Sequence, residues 1–163
     1  MPSPPPDRLP DEPPGRHLNR EERSACSNWL PQGAGLQAAE LGPLQLAWLG
    51  DAVWELHQRL RHCREPGRSD ALHRAVVEEV RAGAQAEALA RLDPLLTDQE
   101  RDWVRRGRNR AGRGPRRGNA ATYGQATGFE TIVGWLFLRN PGRLAQLLDH
   151  LEQPGPDPLP DLP

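Results

Sequence analysis

The sequence predicts an all-α domain set between two proline-rich ends. Three observations carry that prediction. Apolar residues recur at helical spacing in one segment after another between Leu44 and Leu151. Pro43, Pro66-Gly67, Asp93-Pro94 and Asn140-Pro141 punctuate those segments as helix starts and stops. No run alternates apolar with polar residues at the period of a strand with comparable strength. Prolines crowd positions 1–14 and 154–163, which have no apolar periodicity. The chain therefore divides into a disordered proline-rich segment at 1–35, one folded domain at 36–152 and a disordered tail at 153–163. A domain of that size has room for a moderate core.

The elements follow in order. Arg20 to Trp29 predicts a short helix before Pro31. Pro43 suits a first helical position, where a backbone N–H would have no partner anyway. A helix is expected from Pro43 to Arg64. Leu46, Leu49, Val53, Leu56 and Leu60 form one apolar stripe on it, and Leu44, Ala47, Trp48 and Asp51 a second. Apolar residues on both sides predict a helix buried between partners. Ser69 or Asp70 suits the cap of the next helix. That helix carries Leu72, Ala75, Val76 and Val80 and is expected to continue past Gly83 through Ala86, Leu89 and Ala90. Thr97-Asp98-Gln99-Glu100 has the capping-box pattern and starts a helix through Trp103 and Val104 to about Gly107. Another spans about Ala121 to Arg139, with Phe129, Ile132, Val133 and Leu136 on its apolar face. Asn140-Pro141 caps a last helix carrying Leu144, Leu147, Leu148 and Leu151.

A net charge of −1 conceals an asymmetry. Arg101, Arg105, Arg106, Arg108, Arg110, Arg113, Arg116 and Arg117 face only Asp102 in the stretch from 101 to 118, a local balance of 8 − 1 = +7. Such a segment points to a polyanionic partner. From Arg108 to Gly118 the glycine content is too high and the apolar content too low for packing, which predicts an exposed basic loop. It lacks the Gly-Lys-Ser/Thr ending of a phosphate-binding loop. Arginine forks match phosphate oxygens, and duplex RNA is read through shape, phosphates and 2′-hydroxyls. The candidate RNA contacts are Arg105, Arg106, Arg108, Asn109, Arg110, Arg113, Arg116, Arg117 and Tyr123. The plainer alternative is a solvated charged loop.

Several classes drop out. Cys26 and Cys63 have neither zinc-site nor disulfide-framework spacing. The five histidines show no ligand pattern. No run approaches the roughly 20 apolar residues of a membrane span, and no signal-peptide core is present. A cytoplasmic protein without a membrane partner or a small-molecule cofactor is expected.

Two carboxylates stand inside otherwise apolar helices, Asp51 after Gly50 and Glu130 one turn before Gly134. A carboxylate in such a setting costs free energy unless it is paired or holds a metal. Mg²⁺ takes one or two carboxylates plus waters and substrate phosphate, and could serve phosphodiester hydrolysis here. The glycines would let the two helices approach closely. The alternative is that each acid reaches solvent or pairs with an arginine.

These motifs carry a resemblance. Leu46-Ala47-Trp48-Leu49-Gly50-Asp51-Ala52-Val53 resembles the signature helix of the ribonuclease III catalytic domain, and Gly128-Phe129-Glu130-Thr131-Ile132-Val133-Gly134-Trp135 its second acidic helix. Leu72-His73 with Ala84-Gln85-Ala86 fits the helix between them, and Arg105-Arg106-Gly107-Arg108-Asn109 with no following double-stranded-RNA-binding domain is similar to the Mini-ribonuclease III subfamily. The resemblance implies a homodimeric all-α endonuclease that cuts double-stranded RNA with Mg²⁺, leaves 5′-phosphate ends and matures the ends of large-subunit (23S) ribosomal RNA. It makes Asp51 the catalytic signature aspartate and Glu130 the second metal-binding acid. Leu44 and Thr127 stand where the larger enzymes carry further acids, a departure that the subfamily shares. Two other readings stay open: a non-catalytic RNA-binding module assisting ribosome assembly, and a helical protein acting on a small molecule.

Overall fold

The computed structural model describes residues 38–64, 66–112, 114 and 119–153. The expected helix at Arg20–Trp29 and the expected disorder at 1–35 and 154–163 lie outside the described residues. After a 3₁₀ turn at Ala38–Glu40 come six helices: α1 (Pro43–His62), α2 (Ser69–Val80), α3 (Ala82–Leu92), α4 (Asp98–Arg110), α5 (Ala120–Arg139) and α6 (Pro141–Glu152). No described residue is in a strand, as the apolar periods require.

The domain is built around α5. From Ala126 to Leu136 every residue is buried except Glu130, which is half-buried. A helix apolar on all sides must be surrounded, and α1, α3, α4 and α6 all pack on it. Phe129, Ile132, Val133 and Leu136 meet Leu46 and Trp54 of α1, Leu89 and Leu92 of α3, Val104 of α4 and Leu144, Leu147 and Leu148 of α6 in one core. The ring of Trp54 stands edge-on to Phe129 at 5.0 Å.

Caps behave as their chemistry predicts. Pro43 opens α1. Thr97 and Glu100 close a capping box on α4, the Glu100 carboxylate accepting from Thr97 N–H at 2.8 Å. The Asn140 side chain accepts from Arg143 N–H at 3.0 Å at the start of α6. Glu100 has a second duty. It is 4% exposed and takes a two-pronged contact from Arg143 of α6, at 2.9 and 3.1 Å. Burial works to raise the Glu100 pKa, but the Arg143 guanidinium and the Thr97 N–H outweigh it and hold the carboxyl below its ordinary range.

Four expectations are corrected. The helix expected from 69 to about 90 is two helices, because Arg81 is extended (ψ 151°). The break frees the last carbonyls of α2, and that of Glu79 accepts Trp54 Nε1–H at 3.1 Å. It also turns α3 onto α5, while α2 packs on α1. Neither Ser69 nor Asp70 caps α2: Arg68 holds that position without a side-chain cap bond. Arg108, Asn109 and Arg110 belong to the last turns of α4 and not to a loop. Finally, α1 is buried on one side only. Leu46, Ala47, Gly50, Trp54 and Gln58 face inward, whereas Trp48 is 82% exposed and Leu44, Leu56 and Leu60 are exposed with it. Among the described residues, nothing covers that outer face.

Candidate active site

Backbone contact between α1 and α5 creates the site. A Cβ on Gly50 would lie 1.8 Å from the Glu130 carbonyl oxygen, and one on Gly134 would lie 2.0 Å from the Leu46 carbonyl oxygen. Only glycine permits this approach, since any larger residue would overlap main-chain atoms. The crossing sets Asp51, the residue after Gly50, beside Glu130. The expectation about Asp51 needs correcting here. Asp51 is exposed, and it is Glu130 that is partly withdrawn from water. Burial is the main cause that pushes the Glu130 carboxyl up; the Asp51 charge pushes it further and the Gln85 amide opposes, leaving it at about 7.

Gln85 is the site residue that the sequence reading did not single out. It is fully buried on α3, and its Nε2–H donates to Asp51 Oδ1 at 3.3 Å. Beyond its place in the Ala84-Gln85-Ala86 stretch that fits the family's intervening helix, its signal in the sequence is a lone amide in the small-residue run Ala82-Gly83-Ala84-Gln85-Ala86. Thr127, one turn before Glu130, is buried and spends its hydroxyl on the Tyr123 carbonyl at 3.1 Å. Leu44 is half-exposed.

The donor set fits a hard cation. Among the described residues no three His, Cys, Asp or Glu side chains cluster, so a zinc-type cage is not formed there. Two carboxylates suit Mg²⁺, which takes few protein oxygens and keeps its waters. No cation of the described residues forms an ion pair with Asp51 or Glu130, so among those residues only the neutral Gln85 amide offsets their mutual repulsion.

The basic residues divide. Arg105 pairs with Asp102, and Arg106 does so at 2.6 Å while lying 4.9 Å above the Trp103 ring. Arg108, Asn109 and Arg110 are exposed at the end of α4, and the two arginines make no ion pair among the described residues. A second glycine crossing joins this helix end to α5. A Cβ on Gly107 would lie 2.2 Å from Thr131 Oγ1, and one on Gly128 would lie 2.8 Å from Arg108 Cγ. The stem of Arg108 thus rests two positions before Glu130 on the same helix. Tyr123, 36% exposed, packs against Gly114, whose φ of 70° needs glycine. Arg113, Arg116 and Arg117 lie outside the described residues.

An all-helical domain with an acid pair at one glycine crossing of a central helix and a basic helix end at the next has the parts of a ribonuclease III domain, and residues 44–141 match that domain family. Mini-ribonuclease 3 from a Synechococcus species is 53% identical over 114 residues, covering 70% of this chain and 83% of that protein. Mini-ribonuclease 3 from Gloeobacter violaceus is 50% identical over 113 residues, covering 69% and 84%. The crystal structure of a Fusobacterium nucleatum protein superposes with a TM-score of 0.63 at 25% identity, covering 68% of this chain and 90% of that one. The chain belongs to the Mini-ribonuclease 3 family, and is an endoribonuclease acting on double-stranded RNA. No helix of the described residues is long and apolar enough to cross a membrane.

The raised carboxyl of Glu130 makes a stability prediction. Its folded pKa of about 7 lies above the ordinary 4.5. The ionised group therefore costs stability that grows as pH rises from about 4.5 to about 7 and is absent below. In EDTA, Glu130→Gln is expected to stabilise the protein by about 1–2 kcal/mol at pH 8, allowing for the group's partial exposure, and by almost nothing at pH 4. Equal melting temperatures for the two proteins at pH 8 would contradict this.

Proposed function

We propose that Asp51 and Glu130 hold Mg²⁺, directly or through water, and that this site hydrolyses phosphodiesters of precursor 23S ribosomal RNA to leave 5′-phosphate ends, maturing that RNA in the cytoplasm during ribosome biogenesis. The observation that carries the reading is the juxtaposition on α5: the acid pair at one glycine crossing, the arginine-bearing helix end at the next. When bound, the cation supplies an activated water and shields charge on the scissile phosphate. The chain's own residues do the rest. Asp51 and Glu130 orient the cation from two rigid helices. Arg105, Arg106, Arg108, Asn109 and Arg110, with Tyr123 and with Arg113, Arg116 and Arg117, grip the duplex backbone. The catalytic unit is residues 36–152.

The same reading makes the protein a homodimer through the outer face of α1. Leu44, Trp48, Ala52, Leu56 and Leu60 recur every four residues and are all exposed. An apolar strip of this length on a charged protein suits a self-complementary partner.

Three experiments test these statements. Asp51→Asn is expected to keep the fold and duplex binding while Mg²⁺-dependent cleavage falls more than about 100-fold; cleavage at the parental rate would refute the assignment. Arg108→Ala with Arg110→Ala is expected to lower the slope of log affinity against log salt by roughly 1–2. An unchanged slope would remove both residues from the RNA interface. In sedimentation equilibrium the parental protein should be a dimer and Trp48→Asp a monomer, and a monomeric parental protein would end the dimer proposal.

A further inference from the structure

Gln85 belongs to neither acidic helix, yet it reaches both acids. Its side chain is 2% exposed, and Nε2–H donates to Asp51 Oδ1 at 3.3 Å. The amide also lies near enough to the Glu130 carboxylate to oppose the rise of that carboxyl. No other hydrogen bond reaches the Asp51 carboxylate among the described residues. A primary amide carries two N–H groups on one nitrogen, so a single side chain can address two anions without adding charge.

A buried amide is a costly way to fill space, because its polar atoms must find partners. Its immediate neighbours on α3, Ala84 and Ala86, are small, and Ala88, Leu89 and Leu92 supply the apolar face. An aliphatic side chain would pack there without that cost. What the amide adds is a fixed donor between two like charges. Left alone, the exposed Asp51 carboxylate would turn away from Glu130, since rotation relieves the repulsion. Gln85 opposes that rotation from a rigid base: α3 restarts after the extended Arg81, and Gln85 N–H bonds the Arg81 carbonyl at 3.1 Å in its first turn.

We infer that Gln85 is a positioning residue, which holds the carboxylates of Asp51 and Glu130 converged for a divalent cation while adding no charge of its own to the site. This rests on the proposal above that those acids hold the cation. Partners that hydrogen-bond metal-ligating carboxylates pre-orient them, and losing one costs about 10–100-fold in metal affinity.

The test is made on the full chain without RNA, by titrating Mn²⁺ against the EDTA-stripped protein by calorimetry, with Mg²⁺-dependence of duplex cleavage as a second readout. Gln85→Met keeps the length and removes the donors. It is expected to retain the helical circular dichroism and EDTA-state duplex binding, to bind Mn²⁺ about 10–100-fold more weakly, and to need correspondingly more Mg²⁺ for half-maximal cleavage. KM for RNA should be unchanged, and the rate should return at saturating Mg²⁺. A purely structural role would lower the melting temperature and leave the Mn²⁺ affinity of the folded protein unchanged. That result overturns the inference. Should Gln85→Met fail to fold, Gln85→Asn, which retracts the amide by one methylene, carries the same expectation and the same refutation. Asp51→Asn is titrated alongside. If it too binds Mn²⁺ as the parental protein does, the metal-site proposal is what has failed; if it loses Mn²⁺ while both Gln85 variants keep it, only the role of Gln85 is refuted.

Discussion

Main-chain contact between α1 and α5 is the constraint on which the rest depends. At Gly50 and Gly134 each helix lies on the other's backbone, with no side chain between. Close-packed interiors do not yield at such a point. The contact decides the neighbour of Glu130, the direction of Asp51 and the depth at which α5 is buried. The second crossing, Gly107 over Thr131 and Arg108 over Gly128, repeats the device on the other flank of α5. Asp51, Glu130 and the basic helix end therefore refer to one axis. Small displacements of that axis would move all of them together, not one past another.

Glu100 and Glu130 show how one residue type serves two purposes. Glu100 is enclosed but meets a guanidinium, a capping N–H and an ordinary structural fate: its charge joins α4 to α6. Glu130 has burial without a cation among the described residues, and its nearest charge has the same sign. A structural acid is neutralised by the fold itself. An acid whose charge the fold leaves unanswered is the mark of a site that another species completes.

Much of this was legible in the sequence, and the gaps have physical causes. Helix existence, the Thr97 capping box, the Asn140 cap and the close approach at Gly50 and Gly134 follow from local spacing and from what glycine permits. Local spacing could also suggest that Asp51 and Glu130 meet. It could not say which of them is buried, because exposure of α1 depends on which side α5 takes. The break at Arg81 has neither proline nor a glycine at the extended residue; Trp54 of another helix claims the freed Glu79 carbonyl, a contact no local pattern contains. Arg108 to Arg110 read as loop because glycine and arginine there look unpackable, whereas Gly107 is helical for the reason that it packs against Thr131. Gln85 was hidden by that same break, which turns α3 and delivers the amide.

The position of α5 in the chain has a consequence for synthesis. The helix that α1, α3, α4 and α6 all pack on is encoded after four of the six helices. Until 120–139 has been made, α1 has its glycine face but nothing to lay it against, and Asp51 has no Glu130 beside it. Folding of the nascent chain must wait for these long-range contacts. The acid pair is thereby absent from any nascent chain in which α5 has not yet reached α1.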